Sequence, residues 1–333
     1  MRRPHACLVL IAVLHPLSVA AAEDAAAPAS VEPTVQQIPR PEGRILAGHV
    51  FMPSATVPGA LVTTSFASYL LLGLGSTTGS FTIGDRNFNG TYDYAAIGAV
   101  LGYEHAFGRY FSARLSLNDV IYSGINGESA FAVGTQFQVG GSLGVTASLP
   151  VGDAVRVAVL FDVGSVPGLA LTIGSGLRAI IDRCQAGNCT VGNGDIFGTR
   201  NATTIQPALA ANWAVSRALG ITGNVAYLHV SQDQNLGTVS GDALSLGLAS
   251  DFDFRAIGWA PIGLMLQFNW TAPFNGDAPA LQHVTDLGGG IFYTGRENLA
   301  LGIQLVARRF AVQPDLAVSW KTFISTVGLR YYW

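Results

Sequence analysis

Charge is what this chain most lacks: Asp, Glu, Lys and Arg make up 12% of its 333 residues, against roughly 25% in soluble domains. With a mean hydropathy of +0.37, much of its surface must be uncharged, which excludes an ordinary water-facing exterior. A formal net charge of −3 is too small to recruit nucleic acid or an acidic surface. Long apolar runs are missing as well. Past the N-terminus no stretch reaches the roughly 18–20 apolar residues of a membrane-spanning helix. The nearest candidate, residues 154–181, is broken by Arg156, Asp162 and Pro167. Hydrocarbon admits only helices and closed barrels, because unpaired backbone groups there cost several kcal/mol each. A chain this apolar without a spanning helix therefore points to a barrel.

Cysteine is nearly absent, with three in the whole chain. Cys7 lies in the N-terminal apolar stretch, and the other two stand in "RCQAGNCTVGNGD". Cys184 and Cys189, close together in a Gly/Asn-rich segment of an exported chain, are expected to form a disulfide that pins a loop. Two thiols without a nearby histidine are too few for a metal site, so neither metal nor cofactor is expected.

What is present begins with "MRRPHACLVLIAVLHPLSVAAAED", which has the form of a secretory signal: Arg2 and Arg3, an apolar stretch, then small residues before Glu23. Residues 1–22 are read as that signal. Residues 23–60 follow as a Pro/Ala-rich lead-in, and its later part, 45–60, is either a periplasmic arm or a plug folded back into a lumen. Residues 61–333 are read as the barrel.

Within 61–333, amphipathic segments alternate with turn-forming residues. They run over 62–74, 92–105, 110–122, 135–149, 154–165, 203–216, 218–230, 241–255, 261–271, 283–294, 298–310 and 318–333. That is about 12 strands, within a range of 10 to 14, each near the ~9–11 residues that a tilted strand needs to cross a bilayer. Tight links such as "FGRY", "PVGD" and "GREN" alternate with longer ones at 75–91, 123–134, 166–202, 231–240, 272–282 and 311–317. Short turns on one side and longer loops on the other are the pattern of outer-membrane barrels, and they put both termini in the periplasm. Face parity agrees. Ile262, Leu264, Leu266, Phe268 and Trp270 oppose Gly263, Met265, Gln267 and Asn269, an apolar face against a small or polar one.

The chain ends "TFISTVGLRYYW", another alternating segment closing on Trp333. With the export signal and the alternating strands, this resembles a Gram-negative outer-membrane β-barrel protein, whose last strand characteristically ends in an aromatic residue. The resemblance implies an all-β, transmembrane antiparallel barrel in the outer membrane. It also implies that the barrel-assembly machinery recognises Phe323, Val327, Leu329, Tyr331 and Trp333. A final Trp departs from the commoner Phe, and no subfamily motif is present.

Projecting the inward parity gathers Glu104, Arg114, Arg156, Asp251, Asp253, Arg255 and Arg330 near the periplasmic end of the lumen. They are either a selective constriction or a salt-bridged network filling a narrow barrel. Asp162, Gln267, Asn269 and Arg308 face inward at higher levels. Tyr92, Tyr94, Trp270, Tyr293, Phe310, Trp320, Tyr331 and Trp333 lie near strand ends and read as interfacial girdles. A lipid hydrolase would need a nucleophile, a base and an orienting group together. Ser231 stands close to His229, but taken as strand neighbours the two would point to opposite faces. The sequence thus reads as a non-enzymatic passive channel for small solutes. The alternatives are a filled structural or surface-interaction barrel and, third, an outer-membrane lipid hydrolase, which a close Ser/His pair facing lipid would favour.

Overall fold

The computed structural model describes residues 43–83, 86–171, 184, 186, 197–234, 237–275, 283–311 and 319–333. Two short strands come first, β1 (Ile45–Leu46) and β2 (His49–Val50). Next come β3 (Ser65–Ile83), β4 (Arg86–Ala106), β5 (Phe111–Gly124), β6 (Thr135–Pro150), β7 (Val155–Leu171) and β8 (Phe197–Ala214). The remainder are β9 (Leu219–Gln234), β10 (Gly237–Asp253), β11 (Ile262–Asn275), β12 (His283–Tyr293), β13 (Leu299–Ala311) and β14 (Ser319–Tyr332). From β3 to β14 these make one closed barrel of twelve strands, each paired antiparallel with its sequence neighbours. The seam is β14 against β3, with Tyr332 opposite Ser65 and Val327 opposite Leu70.

Alternation explains why these segments are strands in this register. On β6, Phe137, Val139, Leu143 and Val145 are exposed on the outside, while Gly140, Gly144, Thr146 and Ser148 are buried inside. On β11, Leu264, Leu266 and Phe268 point out while Met265 and Gln267 are buried. A slip of one residue would turn the whole apolar set into the lumen, so the pattern pins the register. Among the described residues no helix is long and apolar enough to cross a membrane. The apolar outer band belongs to the strands.

The structure departs from expectation at several links. Residues 75–83 and 86–91, read as a loop, continue as a paired hairpin with Thr77 opposite Tyr92 and Gly79 opposite Gly90. Much of 231–240 is likewise β9–β10 ladder, with Ser231 opposite Ser240. Ser, Thr, Asn and Gly suggest turns, but once two strands are in register the ladder extends as long as each backbone group finds a partner. The link before β6 carries a short helix, α1 (Gly127–Val133), capped by the Asn126 side chain accepting from Ser129 N. Residues Phe254–Ile257 form a 3₁₀ turn. The barrel begins at Ser65, so 61–64 belong to the segment before it.

That segment, 43–64, lies inside the barrel. The chain reverses between β1 and β2 through Ala47 and Gly48, both at positive φ (48° and 82°), the form that a two-residue hairpin turn requires. It rises from the short-turn end to a tip at Ser54–Pro58 and descends to Thr63, where Ala106 N donates to Thr64 Oγ1 (3.0 Å) and Trp333 N to Thr64 O (3.2 Å). Its entry and the chain's last strand thus meet at the same end.

Candidate functional site: a plugged lumen

The inner segment is held by side chains of both limbs and of the wall. Arg44 is 2% exposed. Its Nε donates to Phe51 O (3.0 Å) and its Nη1 to Glu297 O (2.7 Å), and its guanidinium lies 4.5 Å over the Tyr332 ring. Burial pushes this guanidinium below its ordinary pKa, opposed by Tyr332, Asp251 and Asp253. His49 is fully buried, with Nδ1 3.1 Å from Arg217 O and Nε2 on the Asp251 carboxylate. Both ring nitrogens thus face acceptors, a carbonyl on one side and a carboxylate on the other. Gly220 leaves room for it: a Cβ there would sit 2.4 Å from His49 Nε2.

At the tip, Ser54 Oγ and Ala55 N donate to Gln267 Oε1 (2.5 and 3.0 Å), and Ala55 N also reaches Gln304 Oε1 (3.1 Å). On the way down, Ala60 N donates to Asn212 Oδ1 (2.5 Å) and Ser148 Oγ to Ala60 O (2.6 Å). Ala60 packs among Ala158, Leu160, Ala208, Ala210 and Ala226, and Met52 against Met265 and Phe292. A neutral hydrogen bond is worth about 0.5–1.5 kcal/mol net, and leaving such a buried partner bare costs about 1–3 kcal/mol. The inward amides therefore define one seat for the segment.

The charged residues expected in one cluster lie apart, several of them in separate ion pairs. Arg330 donates from Nη2 to Glu104 Oε2 (2.7 Å) and from Nε to Ser65 Oγ (2.9 Å), and Glu104 also accepts from Thr63 and Ser112. Arg114 pairs with Asp162 through Nε (2.8 Å) and Nη2. Asp162, expected higher, is therefore level with Arg114, because both face Gly144 across the staggered β5–β6–β7 register. Asp251 holds His49, and Asp253 accepts from Thr294 Oγ1 (2.8 Å). Arg255 is a correction: it sits on the 3₁₀ turn at the rim, donates to Thr294 O (2.8 Å), and is not on an inward strand face. Arg156 faces inward on β7 opposite Asn212.

Of the upper residues, Arg308 forms a two-pronged pair with buried Asp286 (2.7 and 2.8 Å) and Asn269 accepts from Ser245 (3.1 Å). Gln267 serves the inner segment. Arg44, His49, Asn212, Asp286 and Gln304 were not singled out from sequence. The available signal for the amides and Asp286 was inward parity on otherwise small-residue faces.

Between the Ser54–Pro58 tip and the wall from β13 through the β14–β3 seam round to β9 lies a cavity of about 610 Å³. Tyr69, Ser116, Ser142, Gly164, Thr204 and Gln206 line it, with the Arg114–Asp162 and Glu104–Arg330 pairs at its side. Tyr92 and Tyr94 correct the girdle assignment: both are buried on the lumen face, and Tyr94 bonds Thr322.

Outside, Phe323, Val327, Leu329, Tyr331 and Trp333 all point outward and are exposed. Trp333 stacks with Tyr331 (5.9 Å) and lies 6.1 Å from Tyr103, part of an aromatic belt at the short-turn end with Phe107, Phe111, Phe252, Phe254 and Trp259. Near the opposite end, His229 Nδ1 and Tyr227 OH both bond Asp242 Oδ1 (2.8 and 2.6 Å), and Asn275 Nδ2 donates to Oδ2 (3.1 Å). His229 and Ser231 are two positions apart on β9, so they share one face and the expectation of opposite faces is corrected. The Cys184–Cys189 bridge and residues 1–42 concern positions that, Cys184 apart, lie outside the described residues.

No family model matches the chain, and neither does any curated protein. Among solved structures it is similar to the β domain of the Bordetella autotransporter BrkA, at 11% identity and a TM-score of 0.49, over 81% of this chain and 100% of that one. The translocator domain of autotransporter NalP from Neisseria meningitidis gives 13% identity and a TM-score of 0.47, over 80% and 88%. The CymD monoaromatic hydrocarbon channel gives 12% and 0.39, over 88% and 98%. At that level of likeness the architecture rests on the strand ladder itself.

Proposed function

We propose that this outer-membrane β-barrel is a passive channel for small solutes, narrowed by residues 43–64 acting as a lumen plug. The observation that carries the reading is the cavity of about 610 Å³ beside the plug tip. Its wall mixes hydroxyls, amides and paired charges of both signs, a lining suited to small hydrated solutes with little preference for charge. The plug sets the width of that route, and the inward amides at Asn212, Gln267 and Gln304 hold the plug.

In this reading residues 1–22 are a cleaved signal peptide, and the short-turn end with both chain ends faces the periplasm. The barrel-assembly machinery takes up the last strand, and Cys184 and Cys189 pin a loop at the far side. The test is conductance of refolded 23–333 in a planar bilayer, beside Thr204→Trp in the cavity wall and Gln267→Ala on the wall that holds the plug tip. Steady conductance is expected, lowered by Thr204→Trp and raised by Gln267→Ala. Silence from all three, with folding established by heat-modifiable gel mobility, would overturn the channel in favour of a filled structural barrel.

A further inference from the structure

We propose that Ser231, His229 and Asp242 form an acyl-ester hydrolase site on the outer surface of the barrel, at the margin of the bilayer. The position on the barrel suits this chemistry. Outward on β9 the chain reads Val225, Tyr227, His229, Ser231, and outward on β10 it reads Leu248, Leu246, Leu244, Asp242. The polar residues begin where the apolar band stops, away from the short-turn end. That is the depth at which the ester bonds of membrane lipids lie, between acyl chains and headgroups. The site is outside the lumen and independent of the channel reading.

Orientation points the same way. Asp242 stands directly opposite His229 in the β9–β10 register. Its carboxylate is fixed by three donors: His229 Nδ1 (2.8 Å) and Tyr227 OH (2.6 Å) on one oxygen, and Asn275 Nδ2 (3.1 Å) on the other. A carboxylate accepting from Nδ1–H sets the imidazole tautomer and leaves Nε2 as the basic nitrogen. Among the described residues neither His229 Nε2 nor Ser231 Oγ has a hydrogen-bond partner. Ser231 is two positions along the same face, about 6.6 Å by strand rise, so Oγ and Nε2 meet by side-chain rotation. Contacts of this kind commonly tighten only when substrate is bound.

The chemistry needs no cofactor. Ser231 Oγ adds to the ester carbonyl carbon while His229 Nε2 takes its proton; the bond to the alcohol oxygen breaks and that oxygen leaves with the same proton. Water then adds to the acyl-serine with His229 as base, releasing the fatty acid and restoring Ser231. The acyl chain has an apolar track below the site along Val225, Leu244 and Ile205, with the Tyr227 and Phe274 rings (6.1 Å apart) beside it. The substrate class is therefore a fatty acyl ester presented from the membrane, whether of a phospholipid or of lipid A.

The test uses the full mature chain folded in detergent. Hexadecylsulfonyl fluoride is added and the labelled residue located by mass spectrometry. Fatty-acid release is then followed from mixed micelles of diacyl phosphatidylcholine and, separately, of lipid A. The expected result is sulfonylation at Ser231 and release from at least one micelle type, the other arm naming the source. Ser231→Ala and His229→Ala, with unchanged gel mobility, should each reduce release by about 10²–10⁴-fold, the usual scale of a lost nucleophile or base. Asp242→Asn, at a positioning residue, should lower kcat at least tenfold with KM unchanged. Absence of label at Ser231 together with no release, or release that survives Ser231→Ala, would overturn the proposal.

Discussion

Adding one methyl at Gly220 should expel the plug while sparing the barrel. The Cβ of Gly220→Ala would stand 2.4 Å from His49 Nε2, 2.6 Å from its Cδ2 and 2.8 Å from Phe51 Cε1. Ordinary contact is about 3.5–4 Å, so the ring must move by about 1 Å. It cannot do so freely, because Arg217 O holds one nitrogen and Asp251 the other. Movement leaves the 3%-exposed Asp251 carboxylate without its partner, and breaking a buried pair from one side costs about 3–5 kcal/mol. At about 1.4 kcal/mol per decade, the seated plug should lose roughly two to three and a half orders of magnitude in population relative to the released one. Trypsin reads this directly. Arg44 is buried when the plug is seated and becomes a cleavage site once it leaves. Folded protein in detergent should yield the new N-terminus Ile45 far faster in Gly220→Ala than in the wild type, with the heat-modifiable barrel band retained. Equal, slow cleavage at Arg44 in both would refute the claim that the His49–Asp251 contact seats the plug.

Other substitutions test separate parts. Glu104→Ala removes the acceptor shared by Arg330, Thr63 and Ser112 and should cost about 3–5 kcal/mol, with Glu104→Gln costing less, read from urea unfolding in lipid vesicles. Leu266→Arg places a charge on the outer face in mid-strand, where Leu266 is 69% exposed. It should cost about 2–4 kcal/mol in the same assay, whereas Leu266→Phe should be near neutral. Trp333→Ala should lower the amount inserted into membranes in cells far more than it lowers in vitro stability, because the ring contacts of Trp333 among the described residues are those with Tyr331 and Tyr103; equal losses would argue for a purely structural role.

Parity was legible in the sequence, and level was not. Phe137, Val145, Leu264 and Leu266 announce the outer face by alternation alone, and the tight turns at Gly108 and Gly152 are marked by glycines at positive φ. That Asp162 meets Arg114 is a consequence of strand stagger, a property of barrel closure that no single strand encodes. A segment that starts at 92 puts Tyr92 and Tyr94 at a strand end, where a girdle is expected. Once the hairpin continues to Arg86, they fall inside the span and on the lumen face. The plug left the faintest trace. Pro53 and Pro58 deny a strand to 51–60, but its destination is written in Gln267, Gln304 and Asn212, far away in the chain. His229 and Ser231 have one residue between them, so strand periodicity joins the pair on one face.

The plug runs into β3 with no linker, Thr64 being the residue before Ser65. A segment tethered at zero distance from its seat faces that seat at a high effective concentration, whatever the dilution of the protein. Release of the plug is therefore a displacement and never a departure, and reclosure is unimolecular. An external molecule that competes for the Asn212, Gln267 and Gln304 amides must outbid a local concentration and not a bulk one. Opening of the lumen would then answer to pulling or to seat-breaking substitutions far more readily than to a weak soluble competitor.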